Sequence, residues 1–321
     1  QRTQSRKRSF MRTDQRGNIV FAARPAARPS SANPVRRIAL TIAAASSLAA
    51  VPALAQTNPV DPNGPPTPLV TGDTVTVAVA GALLPDYEGS NDYSLTPGPA
   101  AIGTIGGISF QVLGNRASVD LIADAPTSRW DFQAGPVGLV NFNRTSRKGI
   151  DDPRVKALPT TSTALELGGY LGIGKTGIIT SDYDKLAVAV SYRYDVTGIH
   201  DSGVLQPSVS YYTPLNLKSA VGIFASAEKV ERAYGRTYFD VRPQDVAASG
   251  LPAFRTRGGW KNYVVGFAGT YALTGDLLHG FKVIAGGTYK RMLNDFGDTP
   301  IVSIAGSRNQ WLGAVGIGYT F

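Results

Sequence analysis

The sequence has no cysteine and only two histidines. Beyond residue 55 it offers no apolar run long enough for a membrane helix. Each absence narrows the reading. A chain without cysteine suits an export route, although that is not specific to one. His200 and His279 are the only histidines, and neither sits among residues spaced as metal ligands. A membrane helix needs about 20 predominantly apolar residues. Helical periodicity is itself nearly absent. Excess charge is also missing where a nucleic-acid partner would need it. The formal charge is +9, but residues 1–55 hold ten Lys/Arg against one Asp, which leaves 22 of each sign in the rest. A nucleic-acid binder needs basic residues clustered on its folded part, so no nucleic-acid partner is expected.

The basic N-terminus has its own explanation. Arg36-Arg37 opens a positive edge, Ile38 to Val51 is mostly apolar, and Ala53-Leu54-Ala55 fits a small-x-small cleavage site. That pattern is a secretory signal peptide over 36–55, with cleavage expected near Ala55. Residues 1–35 form an extension ahead of it. Residues 56–72 carry Pro59, Pro62, Pro65, Pro66 and Pro68 and read as an extended periplasmic linker.

From residue 73 to 321 the chain alternates. The last segment shows it most clearly: Trp311, Gly313, Val315, Ile317, Tyr319 and Phe321 share one face, and the other face is small or polar apart from Leu312. From Trp311 to Phe321 is roughly 33 Å at the standard rise. Tilted by about 40°, this spans roughly the 25 Å apolar band of an outer-membrane barrel, with an aromatic near each interface. Leu186, Val188, Val190, Tyr192, Tyr194 and Val196 likewise oppose Lys185, Ala187, Ala189, Ser191, Arg193 and Asp195. The pattern predicts strands at 73–84, 92–105, 107–113, 117–124, 129–143, 163–174, 184–197, 203–213, 219–230, 260–273, 279–291 and 310–321. The fold class is therefore all-β, an antiparallel transmembrane β-barrel of about 12 strands, an even number as bacterial barrels require. The longest connections, 144–162, 231–259 and 292–309, all follow odd strands, so they share one side. A soluble sandwich would also alternate, but its solvated face would carry more charge than the Gly, Ala, Ser and Thr found here.

Some motifs tempt. Gly169 to Thr176 matches the phosphate-loop pattern literally, but no helix follows to cradle a phosphate, and the glycines read as lumen or turn positions. His200-Asp201-Ser202 holds the residue types of a hydrolase triad, but such geometry is assembled in space rather than by adjacency, and His200 reads as a polar loop residue. No catalytic residue, metal site or cofactor is expected. Arg144, Lys261 and Arg291 fall on lipid-facing parity at outer strand ends, where they would pair with lipopolysaccharide phosphates or simply mark where lipid stops. The aromatic end, Tyr319 and Phe321, is expected to serve as an assembly signal and to join the lower aromatic girdle.

Four stretches carry a resemblance: residues 85–93 (PDYEGSNDY), 239–252 (FDVRPQDVAASGLP), 298–302 (DTPIV) and 306–310 (GSRNQ). In this order and spacing the chain resembles the MltA-interacting protein (MipA) / OmpV family of outer-membrane proteins over about residues 73–321. The resemblance implies a non-enzymatic barrel in the outer membrane of a Gram-negative bacterium, in contact with outer-membrane lipid and lipopolysaccharide. It implies a scaffold joining a murein lytic transglycosylase to a murein synthase, or else a small porin-like solute channel or a surface adhesin. Residues 231–260 depart from the family by their arginines (Arg232, Arg236, Arg242, Arg255 and Arg257), which leaves open what that loop does. A murein partner is periplasmic and the long loops face outward, so a scaffold is expected to act through the Pro-rich linker.

Overall fold

The computed structural model describes residues 73–123 and 128–321. The extension, the signal peptide and the Pro-rich linker lie outside the described residues. Within them the alternating segments form twelve strands: β1 (Thr74–Pro85), β2 (Tyr93–Ile105), β3 (Ile108–Leu113), β4 (Arg116–Asp120), β5 (Trp130–Asn141), β6 (Ala164–Thr176), β7 (Lys185–Asp195), β8 (Gly203–Pro214), β9 (Ser219–Val230), β10 (Gly259–Ala272), β11 (Gly280–Met292) and β12 (Asn309–Thr320). Each pairs antiparallel with its chain neighbours, and β1 pairs with β12 from Thr76↔Thr320 to Leu83↔Gly313, which closes the barrel. Closure leaves no sheet edge unpaired, the condition for a sheet in lipid.

The anticipated strands are present with ends shifted by a few residues. β4 stops at Asp120 rather than 124, because the Asp120 carboxylate turns back to accept the amides of Ile122 and Ala134. The expected fifth strand ends at Asn141, whose side-chain oxygen accepts the amide of Asn143 and starts a turn.

The outward faces form an exposed apolar belt. Val79 is 67% exposed, Leu171 65%, Phe267 63% and Val315 60%. A water-soluble monomer rarely shows a contiguous apolar surface of more than a few hundred Å², so this belt is a lipid-facing surface. Aromatics flank it at both ends. Near the outer end, Tyr289 lies 4.8 Å from Trp311 and 6.2 Å from Tyr263 between ring centroids. At the inner end, Tyr319 lies 4.8 Å from both Phe281 and Phe321.

The inward faces are small where strands crowd. A Cβ on Gly168 would sit 1.8 Å from the Tyr192 carbonyl oxygen, so glycine there is what lets β6 lie against β7 beside Arg193. The phosphate-loop look-alike lies inside β6: Gly169 pairs with Pro136 and Tyr192, and Lys175 pairs with Trp130 and Leu186. The Lys175 ammonium sits 5.0 Å over the Trp130 ring, at the barrel wall.

The long connections are not strands. They carry short helices, α1 (Pro153–Lys156), α2 (Arg232–Tyr238), α3 (Val246–Ser249), α4 (Asn294–Asp298) and α5 (Pro300–Ser303). The Asp152 side chain caps α1 by accepting the amides of Arg154 and Val155.

Candidate functional site

The outer end of the barrel is covered by a cap built from four loops. Tyr87 of the β1–β2 loop, Ile150, Val155 and Leu158 of the β5–β6 loop, Val241 and Leu251 of the β9–β10 loop, and Ile301 and Ala305 of the β11–β12 loop form one buried apolar cluster. Tyr234, Tyr238 and Phe239 pack with Met292, Phe296, Val302 and the strand ends Val204 and Val230 in a second. The phenol of Tyr87 donates to the Ala305 carbonyl at 2.6 Å, and Thr299 Oγ1 donates to the Phe239 carbonyl at 2.6 Å. Burial pushes the Tyr234 and Tyr238 phenols above the usual range, so both stay protonated as donors.

Beneath the cap lies a layer of paired charge. Arg193 of β7 reaches Glu166 of β6 at 3.1 Å and Glu228 of β9 at 3.1 Å. Lys261 of β10 joins Glu228 at 2.8 Å to Glu88 at 2.9 Å, and Glu88 also takes Lys290 of β11 at 3.4 Å. Three carboxylates, Glu88, Glu166 and Glu228, thus meet Arg193, Lys261 and Lys290, and all six side chains are buried. Buried charges persist when paired and hydrogen-bonded. The amides of Asn141 and Asn262 complete the Glu166, Glu88 and Glu228 carboxylates. Arg116 of β4 crosses to Gln206 of β8 at 2.7 Å, and Gln206 also accepts from Arg193.

Two loop residues tie the cap to this layer. Glu88 comes from the β1–β2 loop. Tyr234 comes from α2, donates to Glu88 at 3.2 Å, and lies with its ring centroid 4.5 Å from the Lys261 ammonium. The β1–β2 loop also touches the other caps: the Glu88 amide donates to Asn143, the Asp151 amide donates to Asp86, and the Ser307 amide donates to the Gly89 carbonyl. A Cβ on Gly89, whose φ is +102°, would strike Val302, so glycine is needed for that close approach.

The expected basic rim is largely not a rim. Lys261 is wholly buried in the lumen, not lipid-facing. Trp260 pairs with Lys229 and Asn262 with Glu228, leaving Lys261 as the extra residue of a β-bulge. The bulge breaks strict alternation and turns Lys261 and Asn262 inward together. Arg144 is also buried, inside the cap, with a backbone φ of +55° after the end of β5. Burial lowers its pKa to about 10, so it remains a cation at neutral pH. Arg291 alone of the three is exposed, donating to Asn309 at 3.0 Å beside the outer aromatics. Tyr319 and Phe321 sit in the inner girdle.

His200 is a loop residue but not a solvated one. It is buried, with Nε2 3.4 Å from Glu166 and its ring edge-on to Tyr234 at 5.0 Å between centroids. Asp201 is exposed, and the Ser202 hydroxyl donates to the Gly203 carbonyl, so the three neighbours form no relay. Among the described residues no group of three or more His, Cys, Asp and Glu is placed to hold a metal ion. The layer binds neighbours to one another through mutually neutralised charge. Glu88, Tyr234, Glu228, Asn262 and Lys290 were not anticipated. Inward parity at strand ends would have found Glu228 and Lys290, whereas nothing periodic marks Glu88 or Tyr234.

No curated protein sequence matches. Among solved structures, the Pseudomonas putida toluene transporter TodX is 9% identical, with a TM-score of 0.35, over 78% of this chain and 89% of that one. In-vitro folded OmpT, an outer membrane protein of Vibrio cholerae, is 10% identical, with a TM-score of 0.35, over 78% and 97%. A Pseudomonas aeruginosa FadL homologue is 10% identical, with a TM-score of 0.28, over 77% and 89%. Likeness at this level carries no inference about transport. The family described as MltA-interacting protein MipA matches residues 77–321, from within β1 to the final residue. The chain, an outer-membrane β-barrel, belongs to the MltA-interacting protein MipA family.

Proposed function

We propose that this barrel is a non-enzymatic scaffold that works from its periplasmic side, joining a murein lytic transglycosylase to a murein synthase. The observation that most supports this reading is the capped outer end. Tyr234, Tyr238, Arg193 and Lys261 are buried there beneath four interlocked loops. A barrel closed in this way is poorly suited to passing solute, and its family takes its name from interaction with MltA. The periplasmic side offers short turns and the Pro-rich segment 56–72, and exposed polyproline segments are ready ligands. Export by a signal peptide cleaved near Ala55 delivers that segment to the periplasm. Tyr319 and Phe321 act as the assembly signal, and Arg291 meets lipopolysaccharide phosphate at the outer interface.

A second reading, a small solute channel, draws on the lumen faces of β1, β2 and β12. There Thr76, Ala78, Ala80, Gly98, Ala100 and Ala314 are small and only half-buried. Planar-bilayer recording of the native protein beside a variant lacking 232–256 separates the two. The scaffold reading expects silence from the native protein, and capture of the transglycosylase that is lost on deleting 57–70. Discrete openings in the native protein overturn it in favour of a channel. Undiminished capture by the deletion overturns the role of the linker.

A further inference from the structure

We propose that the cap holds a small oxyanion, a phosphate or a carboxylate, on the guanidinium of Arg144. Arg144 lies where the β5–β6 loop meets α2, with only 6% of its surface exposed. One of its nitrogens, Nη2, donates to the Thr237 carbonyl at 3.4 Å, and its Nε and Nη1 have no partner within the protein. A guanidinium offers five donors in a planar fork that matches a carboxylate or phosphate. Two more unpartnered buried groups stand close in the chain to these: Nδ2 of the adjacent Asn143, and the hydroxyl of Tyr238, the neighbour of Thr237. All of these can donate, and together they call for an acceptor rather than another donor. Buried polar groups left without a partner are rare enough that each needs a reason.

The surrounding carboxylates do not supply that acceptor. Asp245 is the acidic residue whose field reaches Arg144, and it is paired with Arg242 at 2.7 Å. Asp152 is taken by Arg154 and the amides of α1. Glu88 is shared among Lys261, Lys290 and Tyr234. Glu88, Glu166 and Glu228 below the cap are taken by Arg193, Lys261 and Lys290, and among the described residues Arg144 forms no ion pair. The nearby groups that act on it include the phenols of Tyr87 and Tyr238, each from one of the two apolar clusters of the cap. The backbone points the same way. Among the described residues three non-glycine residues have left-handed φ, and the other two are Asp201 and Asn294, types that tolerate it. At Arg144 the same turn carries a long cationic side chain into the cap instead of into water. A phosphate or carboxylate held there would accept the Nε and Nη1 hydrogens that no protein group takes.

The test uses the detergent-extracted protein in a phosphate-free buffer. Thermal unfolding is followed while chloride is replaced at constant ionic strength by inorganic phosphate, and separately by acetate. The native protein is expected to gain melting temperature saturably with at least one of the two, and the responding series tells phosphate from carboxylate. Arg144→Met is expected to be flat in both series. Tyr238→Phe, which keeps the cation, is expected to respond with a severalfold higher half-saturating concentration. Equilibrium dialysis with labelled phosphate and labelled acetate reads binding directly, independently of folding. Three results would each overturn the proposal: no response and no binding in the native protein, a response in Arg144→Met equal to native, or an Arg144→Met melting temperature above native at saturating anion.

Discussion

At the inner end of the barrel three turns are each held by a side chain a few residues away; at the outer end the bonds that knit the cap join segments far apart in the chain. The β6–β7 turn hangs on Asp184, which accepts the amides of Ile178, Ile179, Thr180 and Ser181 and the hydroxyl of Tyr211. Asn216 holds the β8–β9 turn through the amides of Lys218 and Ser219, and Asp276 holds the β10–β11 turn through Leu278 and His279. Gly106 and Gly107 make the β2–β3 turn in two residues, both with positive φ, as a tight hairpin of primed type requires. At the outer end the β7–β8 loop also follows this pattern, with Asp195 accepting the amides of Thr197, Ile199, His200 and Asp201. The rest is knit by Glu88 to Lys261 and Lys290, by Tyr87 to Ala305, and by Gln310 to Ser90. Local turns fail one at a time. A cap knit through one short loop fails together.

That contrast can be broken from either end. The largest effect is expected for Glu88→Ala, which leaves Lys290 and Lys261 short of their buried partner. Breaking a buried pair costs about 3–5 kcal/mol. Denaturant unfolding should show that loss, and protease should cut within 231–258 while the barrel keeps its β signal. A Glu88→Ala protein as protease-resistant as native would show that the cap stands without its tie to the wall. Next comes Asp184→Ala at the inner end, expected to cost about 1–3 kcal/mol for the amides left unpaired, with the cap untouched by the same protease.

Asp184 also makes a pH signature. Burial pushes its carboxyl up, but the amides of Thr180 and Ile178 and the Tyr211 hydroxyl outweigh this and hold it well below the usual range. Its folded pKa is therefore depressed relative to the unfolded value of about 3.9. The stabilisation it brings is present above that value and is lost as the pH falls through the folded one. Asp184→Asn should accordingly lose stability at neutral pH and show a flatter acid limb than native; equal acid limbs would remove Asp184 from the account. Tyr234→Phe is expected to cost about 0.5–1.5 kcal/mol, seen as faster nicking of α2 without change at the inner turns. The smallest effect is expected for Arg308→Ala, which removes an exposed pair with Asp298 on the cap surface. Such pairs contribute about 0–1 kcal/mol, and a larger loss in unfolding would mean that surface charge, not the buried layer, fastens the cap.

The same contrast explains what could be read in advance. Strands were legible because their determinant, period-2 alternation, is local. Twelve strands and their order followed from that. Lys261 was misplaced because parity counting assumes an unbroken strand, and a single bulged residue inverts every assignment on its far side. Arg144 was misplaced because it lies beyond the last strand residue, Asn141, where parity no longer applies. Glu88 and Tyr234 were invisible because their roles depend on partners in other segments: Lys261 for both, and Asn141 for Tyr234. The paired charges of β6, β7 and β9 were half legible. Arg193 stood out as a charge on an inward face, without any sign of which carboxylates it would meet.

The position of Glu88 has a bearing on time as well as on space. It lies just after the first strand, and the groups it holds, Lys261 and Lys290, lie on β10 and β11, with Gln310 of β12 on the same short loop. Contacts so distant along the chain form late, because the intervening loop must first be ordered. The cap therefore cannot set until the last strands are in place beside the first. Each finished cap is a record, written in the two ion pairs of Glu88 and a tyrosine, that the barrel has closed.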